Sequence, residues 1–298
     1  MKNILTIILA TAIWISLPIA SVVGQTKKAK KTIFKEQLAS SPTTTGTFSY
    51  TFSMTTGTYQ DLTGSTSLNN NQTWDDPDYI VPMDFPFTMF GKRIDSLSFD
   101  FFLGGSLLGY CGSDSLYQTG LLPFEADLVD LGHFGLAGTS LSPLSYKVEQ
   151  GSMPWNRILK IEWKNVGSYD DTTYSDYANF QLWLYEGTDD IEIHYGPSSI
   201  AVDTLFFYGE PGPMVSILQE STSSWANIHM LSGPATNPSL TPFVAFVEGA
   251  PANGTIYKFT NLVAGMKRPM AQQVLHSYPN PVSGTLTLEW EAQDIALV

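Results

Sequence analysis

Apolar and polar residues alternate with a period of two in two short segments near the middle of the chain. In residues 180–185 phenylalanine and leucine occupy every second position, and residues 191–195 repeat the pattern with isoleucine and tyrosine. Alternation of this kind is typical of a β-strand that buries one face. The Gly-Thr-Asp-Asp sequence at residues 187–190 lies between the two segments and predicts a hairpin connection.

The rest of the body contains further short β-rich segments separated by Gly, Pro, Asn and Asp. In addition to the two segments above, strands are expected at residues 48–54, 96–103, 158–163, 205–208, 214–218, 243–247 and 255–259. No stretch of a dozen residues shows an apolar period of 3.6 between helix caps. Many short strands without intervening helices predict an all-β fold, an antiparallel β-sandwich of jelly-roll type over residues 47–262.

Composition and charge narrow the classes of function. The 298 residues carry 15 Lys and Arg against 28 Asp and Glu, a formal net charge of −13 at pH 7. Nucleic-acid binding through phosphates needs clustered basic residues, so no nucleic-acid partner is expected. The single cysteine, Cys111, excludes an internal disulfide and a cysteine-rich zinc site.

The first residues have the charge pattern of a secretory signal. Lys2 is followed by an apolar segment over residues 4–20 and then by the small residues of Ala-Ser-Val-Val-Gly. This order predicts a signal peptide at residues 1–24 and export of the chain. The alternative is a retained membrane or lipid anchor, since the apolar run is about long enough to span a bilayer. No later segment is apolar enough to do so, and no membrane span is expected after cleavage.

Residues 25–46 follow with a cluster of lysines and the sequence Ser-Pro-Thr-Thr-Thr-Gly. Their composition predicts a flexible, solvated spacer between the cleavage site and the sandwich. A basic tether onto an anionic surface is the alternative interpretation.

The order of several segments between residues 50 and 197 resembles a domain common in secreted proteins of the Bacteroidetes. The resemblance rests on residues 57–66, the Asp75-Asp76 pair, the aromatic run at residues 85–91, and residues 163–166 and 180–186. Members usually carry an Asn-Gly segment where residues 100–105 stand here. No catalytic signature belongs to this domain, so the resemblance implies a secreted module and no reaction.

A proline-rich motif near the end opens a strand-like segment. It comprises Tyr278, Pro279, Asn280, Pro281, Gly284, Leu286 and Leu288. The two prolines favour an extended entry and exclude a helix, and the two leucines share one face of the strand that follows. An ordinary proline-rich linker is one interpretation. The motif also resembles the start of the C-terminal sorting domain of the type IX secretion system.

The resemblance to a sorting domain implies transport over the outer membrane and attachment to the cell surface, with the type IX secretion machinery as a partner. It places a linker at residues 263–276 and the start of a second, small β-sandwich at residues 277–298. Because only the opening of that sandwich is present, the sorting domain is truncated. The chain is therefore expected to be a piece of a longer reading frame.

The sequence contains no recognisable catalytic motif. The histidines are scattered without zinc-site spacing, and neither a Gly-x-Ser-x-Gly elbow nor a P-loop occurs. Cys111 has no basic partner nearby in the sequence, so it is expected to be a buried or inert thiol and not a nucleophile. His194, on the polar face of its strand, is expected to be a surface or edge residue. No catalytic residue is predicted.

Two groups of aspartates in predicted loops are candidates for calcium binding. They are Asp75, Asp76 and Asp78, and Asp170, Asp171 and Asp176. Closely spaced carboxylates suit Ca²⁺, a hard cation with many oxygen ligands. Neither group has EF-hand spacing, and aspartate is also a common turn former. Structural calcium and solvated turns are the two interpretations, and no other cofactor is expected.

Trp183 shares the presumed polar face of its strand with Gln181 and Tyr185, which makes this strand the best candidate for ligand binding. Exposed aromatic rings stack on sugars, although large aromatics mostly serve packing. The sequence therefore predicts a non-enzymatic cell-surface module for adhesion or for binding a glycan or protein. The alternatives are a secreted polysaccharide hydrolase and a purely structural surface component.

Overall fold

The computed structural model describes residues 49–100, 107–110, 119–133, 138–151, 156–171, 173–221 and 224–262. The strands are β1 (Tyr50–Thr56), β2 (Thr66–Ser67), β3 (Ile80–Met89), β4 (Lys92–Asp100), β5 (Leu107–Tyr110), β6 (Thr119–Leu122), β7 (Leu128–Asp130), β8 (Leu144–Gln150), β9 (Arg157–Ser168), β10 (Ala178–Tyr185), β11 (Ile191–Tyr195), β12 (Ser216–Ser221), β13 (Ser224–Pro234), β14 (Ser239–Thr241), β15 (Val247–Glu248) and β16 (Thr255–Asn261). A short helix, α1 (Asp203–Phe206), lies between β11 and β12.

The predicted signal peptide, spacer, linker and sorting motif, and Cys111, fall outside the described residues. Within the described ranges, no helix is long and apolar enough to cross a membrane.

The strands form two sheets. The first sheet has the order β1-β16-β11-β10-β9-β8-β2, with β7 paired to β9. The second has the order β14-β13-β12-β6-β5-β4-β3, with β15 paired to β13. The β13–β15 pair is parallel, whereas neighbours such as β1 and β16 are antiparallel. Buried apolar side chains of both sheets form one large core between them, and the predicted all-β antiparallel sandwich is confirmed.

The alternating segments near the middle of the chain fold as the hairpin that the sequence predicts. β10 and β11 pair directly, with Phe180 opposite Tyr195. The apolar positions of both strands face the core and are almost fully buried. In the connecting turn, Gly187 has a φ of +84° and Asp189 a φ of +54°. Glycine adopts this left-handed conformation freely and aspartate tolerates it, so the turn residues permit the reversal.

Aromatic rings connect the two sheets. Trp163 in β9 stacks on Phe180 with centroids 4.8 Å apart, and its ring lies 5.4 Å from that of Phe99 in the opposite sheet. Phe124 stacks on the same Phe180 at 5.0 Å and meets Phe207 edge-on at 5.2 Å. Stacked and edge-to-face pairs stabilise a core beyond the burial of their area. These contacts fix how the sheets pack.

The prediction of a strand at residues 205–208 is wrong. The helix α1 and the turn after it occupy this region. Phe206 and Phe207 are both fully buried in the main core. Consecutive residues of a strand point to opposite faces of a sheet, whereas a helical turn directs both rings into one core.

The predicted strand at residues 243–247 is reduced to Val247, the first residue of β15. Ahead of it, Val244 and Phe246 pack against a second, small apolar cluster that contains Met214 and Met230. A loop that covers an apolar cluster has the same short apolar run as a buried strand. Periodicity alone does not separate these two cases.

Gly254, just before β16, is expected to tolerate substitution poorly. Its φ is +87°, and an added Cβ would lie 2.6 Å from the backbone oxygen of Gly57. We expect Gly254→Ala to lower the free energy of unfolding by about 2 kcal/mol or more in urea denaturation. Gly187→Ala is the matched control, because its φ is +84° and nothing lies within 4 Å of an added Cβ. That control should lose only about 1 kcal/mol, and equal losses would contradict the steric argument.

Candidate functional site

The outer face of the first sheet, which points away from the core, carries polar side chains that are almost completely buried. Glu162 in β9, Gln181 in β10 and His194 in β11 are direct neighbours across the strands. They are 3%, 1% and 8% exposed, and Lys160 beside them is 9% exposed. These four residues are called the polar row below. Outward-facing polar residues of an antiparallel sheet are ordinarily solvated, so the burial of this row requires a cover.

The cover is the segment of residues 57–65, called the strap below. It joins β1 at one edge of the first sheet to β2 at the other edge, and it crosses the outer face over the polar row. Gln181 Nε2 donates a hydrogen bond to the carbonyl oxygen of Gln60 at 2.8 Å. The N–H of Leu62 donates to Glu162 Oε1 at 3.0 Å. The strap is thus bound to the sheet through its own backbone.

Side chains of the strap add to this attachment. The Tyr59 hydroxyl donates to Glu162 Oε1 at 3.3 Å, and its ring packs so closely on Gly196 that an added Cβ there would lie 2.7 Å from a ring carbon. Asp61 pairs with Lys164 at 2.5 Å. Burial under the strap raises the pKa of the Glu162 carboxyl, although hydrogen bonds from Leu62 and Gln181 oppose the shift. Burial therefore disfavours the ionised form of the Glu162 carboxyl.

A pocket of about 210 Å³ opens beside the strap. Strap residues 58–63 form one wall, and the remaining lining residues are Glu149, Lys160, Gln181, Trp183 and His194. The charges within it are paired, since Lys160 Nζ lies 2.6 Å from Glu149 Oε2 and Lys147 Nζ lies 3.0 Å from Glu149 Oε1. The hydrogen bond from Lys160 lowers the pKa of Glu149. The pocket therefore offers donors and acceptors with little net charge.

Two of the three predicted ligand-binding residues, Trp183 and Gln181, line this pocket and contact each other. Trp183 Nε1 donates to Gln181 Oε1 at 2.9 Å. The Trp183 ring stacks on the ring of His194 with centroids 3.8 Å apart, and Lys160 Nζ lies 3.6 Å from its centroid. The indole ring of Trp183 is thus already in contact with the side chains of His194 and Lys160. A ligand that contacts this ring must bind beside those two side chains.

The prediction that His194 is a surface or edge residue is wrong, because β11 lies between β10 and β16, and His194, under the Trp183 ring, is only 8% exposed. Sequence reasoning also missed Tyr59, Lys160 and Glu162 as site residues. The period-two alternation of residues 158–163 does place the lysine and the glutamate on one face. No local pattern in the sequence indicates that a distant segment covers this face.

Glu192 is the centre of a charged cluster next to the polar row. Its carboxylate accepts a hydrogen bond from the Tyr185 hydroxyl at 2.6 Å and from Lys258 Nζ at 3.1 Å, and lies 2.9 Å from His194 Nε2. Burial raises the pKa of Glu192, but these three partners outweigh it and hold the pKa at about 2. Tyr185, the third predicted ligand-binding residue, thus belongs to this cluster.

The depressed pKa of Glu192 predicts that acid destabilises the fold. The carboxyl titrates near 4.5 when unperturbed, so its stabilising effect is complete above that pH and is lost as the pH falls towards 2. Glu192→Gln is expected to flatten the dependence of the urea midpoint on pH in this window. Tyr185→Phe removes one of the three partners and should flatten it only in part. An unchanged profile in Glu192→Gln would contradict this account.

Among the described residues, the carboxylates of Asp75, Asp76 and Asp127 have the geometry of a candidate cation site. One oxygen from each lies within 4.8 Å of the others. Asp75 and Asp76 are two of the predicted calcium ligands. Asp127, in the loop between β6 and β7, was not indicated by the sequence. Calcium binding stays a prediction, and calorimetric titration of the chelator-treated chain with calcium chloride measures it.

Asp171 and Asp176, two further predicted calcium ligands, accept hydrogen bonds from backbone amides. Asp171 Oδ2 accepts from the N–H groups of Ser175 and Asp176, both at 3.0 Å. Asp176 Oδ2 accepts from the N–H of Ala201 at 3.0 Å. Hydrogen bonds from these amides and from Thr173 lower the pKa of Asp171 against the effect of burial. These carboxylates order the β9–β10 loop.

A family described as NIDO related matches residues 112–261. This range contains β9, β10 and β11 and therefore the whole polar row, whereas the strap precedes it. No match was found among curated proteins or solved structures.

Proposed function

We propose a binding function for this chain, which belongs to the NIDO-related family. Domains of this family are of an extracellular type, and such a domain is compatible with a non-enzymatic binding module. We infer that the chain is an extracellular module that holds a polar ligand in the pocket beside the strap. Its biological role is adhesion at the cell surface.

The pocket is the observation that supports this function. Its ionised groups are paired, which favours a neutral ligand over a charged one. Sugar hydroxyls both donate and accept, so they suit a lining that contains amide, carboxylate, ammonium and indole groups. The volume of about 210 Å³ is below the range of about 300–1,000 Å³ for drug-sized ligands. A single sugar ring at the end of a glycan is therefore the proposed ligand.

Export and surface attachment are part of the same proposal. They rest on the signal-like residues 1–24 and on the motif around Pro279 and Pro281, which resembles a type IX sorting signal. A module attached to the outer surface would present its pocket to glycans or proteins of the surroundings.

A depletion assay tests the binding function. The purified chain is mixed with insoluble polysaccharides and with matrix proteins, and both the protein left in solution and any released sugar are measured. Thr58→Trp places a large ring at the pocket wall, where Thr58 is exposed. Thr51→Trp is the matched control at an exposed position of β1 outside the pocket lining.

We expect saturable depletion by a polysaccharide, lost in Thr58→Trp and kept in Thr51→Trp. If only a matrix protein depletes the chain from solution, the ligand is a protein and not a glycan. If the wild-type chain is not depleted by any of these materials, the binding function is wrong and a structural surface component becomes the better interpretation.

A secreted hydrolase is the second candidate, and His194 is the residue that favours it. Its imidazole lines the pocket and lies 2.9 Å from the carboxylate of Glu192, a pairing that orients a histidine for proton transfer. Release of sugar in the depletion assay, abolished in His194→Gln, would make the hydrolase the primary function.

A further inference from the structure

We propose that β1 is a docking edge for residues 285–290 of this chain, the Thr-Leu-Thr-Leu-Glu-Trp segment that follows the proline-rich motif. The segment adds a further strand to the first sheet, next to β1. This inference goes beyond the proposed function, because it does not involve the pocket.

The backbone of β1 is open along one side. β1 ends the first sheet, and within the described ranges β16 is its only partner strand. Just before β1, the carbonyl oxygen of Ser49 accepts from the N–H of Leu262 at 3.0 Å. Hydrogen-bonded pairs alternate along an antiparallel ladder, so the odd-numbered residues of β1 face β16. The N–H and C=O groups of Phe52, Met54 and Thr56 therefore point to the open side.

β1 lacks the features that protect other sheet edges in this protein. Its seven residues include no charged residue, proline or glycine, and residues 53–56 are exposed. The strands at the other ends of the two sheets are β2 with two residues, β14 with three, and β3, which contains Pro82 and Pro86. Native proteins shorten, charge, interrupt or cover their edge strands. A long unprotected edge therefore indicates that another strand is added to it.

The side chains of β1 define what such a strand must look like. The Phe52 ring lies 5.5 Å from that of Tyr257 and 5.6 Å from that of Phe259, so the even-numbered positions face the core. Met54 lies on the same face and is 36% exposed. The odd-numbered positions on the outer face are threonine and serine. A matching strand alternates apolar residues on the core face with polar residues on the outer face.

Residues 285–290 have this alternation. Polar residues occupy every second position, and three apolar side chains share the other face, those of Leu286, Leu288 and Trp290. Next to β1, these apolar side chains extend the core face and cover Phe52 and Met54. The same pairing satisfies the open N–H and C=O groups of the edge.

The end of the described sandwich brings this segment within reach. The hydrogen bond between Leu262 and Ser49 places the end of the last strand beside the start of β1. The connection is formed by residues 263–284, which are 22 residues. Extended, they span up to about 70 Å, against about 23 Å for the seven residues of β1. Either direction of the added strand is therefore accessible.

The tether favours the segment of the same chain over a second copy. A flexible linker gives its segment an effective concentration on the order of millimolar at the edge. Two copies of the chain each carry a formal net charge of −13, so they repel each other. Docking within one chain also holds the proline-rich motif close to the first sheet.

Hydrogen exchange of the whole chain, resolved by NMR for single amides, tests this inference. We expect the amides of Phe52 and Met54 to exchange at least about tenfold faster in Leu288→Asp than in the wild type, because a charge on the core face prevents docking. Thr287→Asp is the matched control, since it makes the same substitution on the outer face and should keep the slow exchange. The Ser53 amide, which faces β16, should not change in either variant and reports that the sheet is intact.

Fast exchange of the Phe52 and Met54 amides in the wild type, or equal rates in the wild type and Leu288→Asp, would overturn the docking. Protection that increases with the concentration of the chain would assign the edge to a second copy and also overturn it. None of these outcomes changes the result of the depletion assay, so failure of the docking is distinguishable from failure of the proposed function.

Discussion

Replacing Trp163 by alanine is expected to lower the free energy of unfolding by about 3–5 kcal/mol. The indole is completely buried, stacks on Phe180 in the same sheet and contacts Phe99 in the opposite sheet. Truncation removes the transfer free energy of the ring and leaves a cavity between two sheets that cannot fully collapse. Guanidinium denaturation followed by far-ultraviolet circular dichroism measures the loss.

Two further variants set the scale for Trp163→Ala. Trp163→Phe keeps an aromatic ring in the same place and should lose less than half as much stability. Leu205→Ala, at a position that is 53% exposed, should change the free energy of unfolding by less than about 0.5 kcal/mol. A Trp163→Ala variant as stable as Leu205→Ala would show that this ring does not hold the sheets together.

Replacing Asp130 by alanine is expected to cost a similar amount, about 3–5 kcal/mol, for a different reason. Asp130 ends β7 and is completely buried. Its carboxylate accepts hydrogen bonds from the N–H groups of Gly132 at 2.6 Å, Leu141 at 3.0 Å and Ser142 at 3.3 Å, and from the Ser140 hydroxyl. Alanine leaves these donors without the carboxylate, and the buried N–H groups of Gly132 and Ser142 are then costly to leave unsatisfied.

Asp130→Asn is the matched control for this carboxylate. Asparagine keeps one acceptor oxygen, so the hydrogen bonds of Gly132 and Leu141 can persist, whereas its amide group faces the donors of Ser140 and Ser142. We expect an intermediate loss of stability in the same denaturation experiment. If alanine and asparagine are equally tolerated, the carboxylate does not order this loop.

Local sequence pattern was sufficient to predict much of the fold. Residues 180–185 and 191–195 alternate, carry the turn residues between them, and form a hairpin because both strands and turn are determined by neighbouring residues. The predicted strand at residues 205–208 failed because the burial of Phe206 and Phe207 in one core depends on distant residues. The period of apolar residues can be recognised from adjacent positions in the sequence. Whether a residue is buried depends on the distant residues that pack against it.

The candidate site was predictable only in part. The alternation placed Trp183, Gln181 and Tyr185 on one face, and the structure keeps them there. It did not indicate that Glu162 lies opposite Gln181, because strand pairing is a contact between residues far apart in the sequence. The strap was equally hidden, since residues 57–65 contain no feature that specifies what they cross.

The sequence by itself determined the all-β class, the alternation that separates core from outer face, and the turns that join neighbouring strands. Each of these depends on the conformational preferences of a few adjacent residues. Only the tertiary structure decided that the outer face of the first sheet is covered and that a pocket lies beside the cover. Both arise because β1 and β2 occupy opposite edges of one sheet, which obliges the strap between them to cross the polar row.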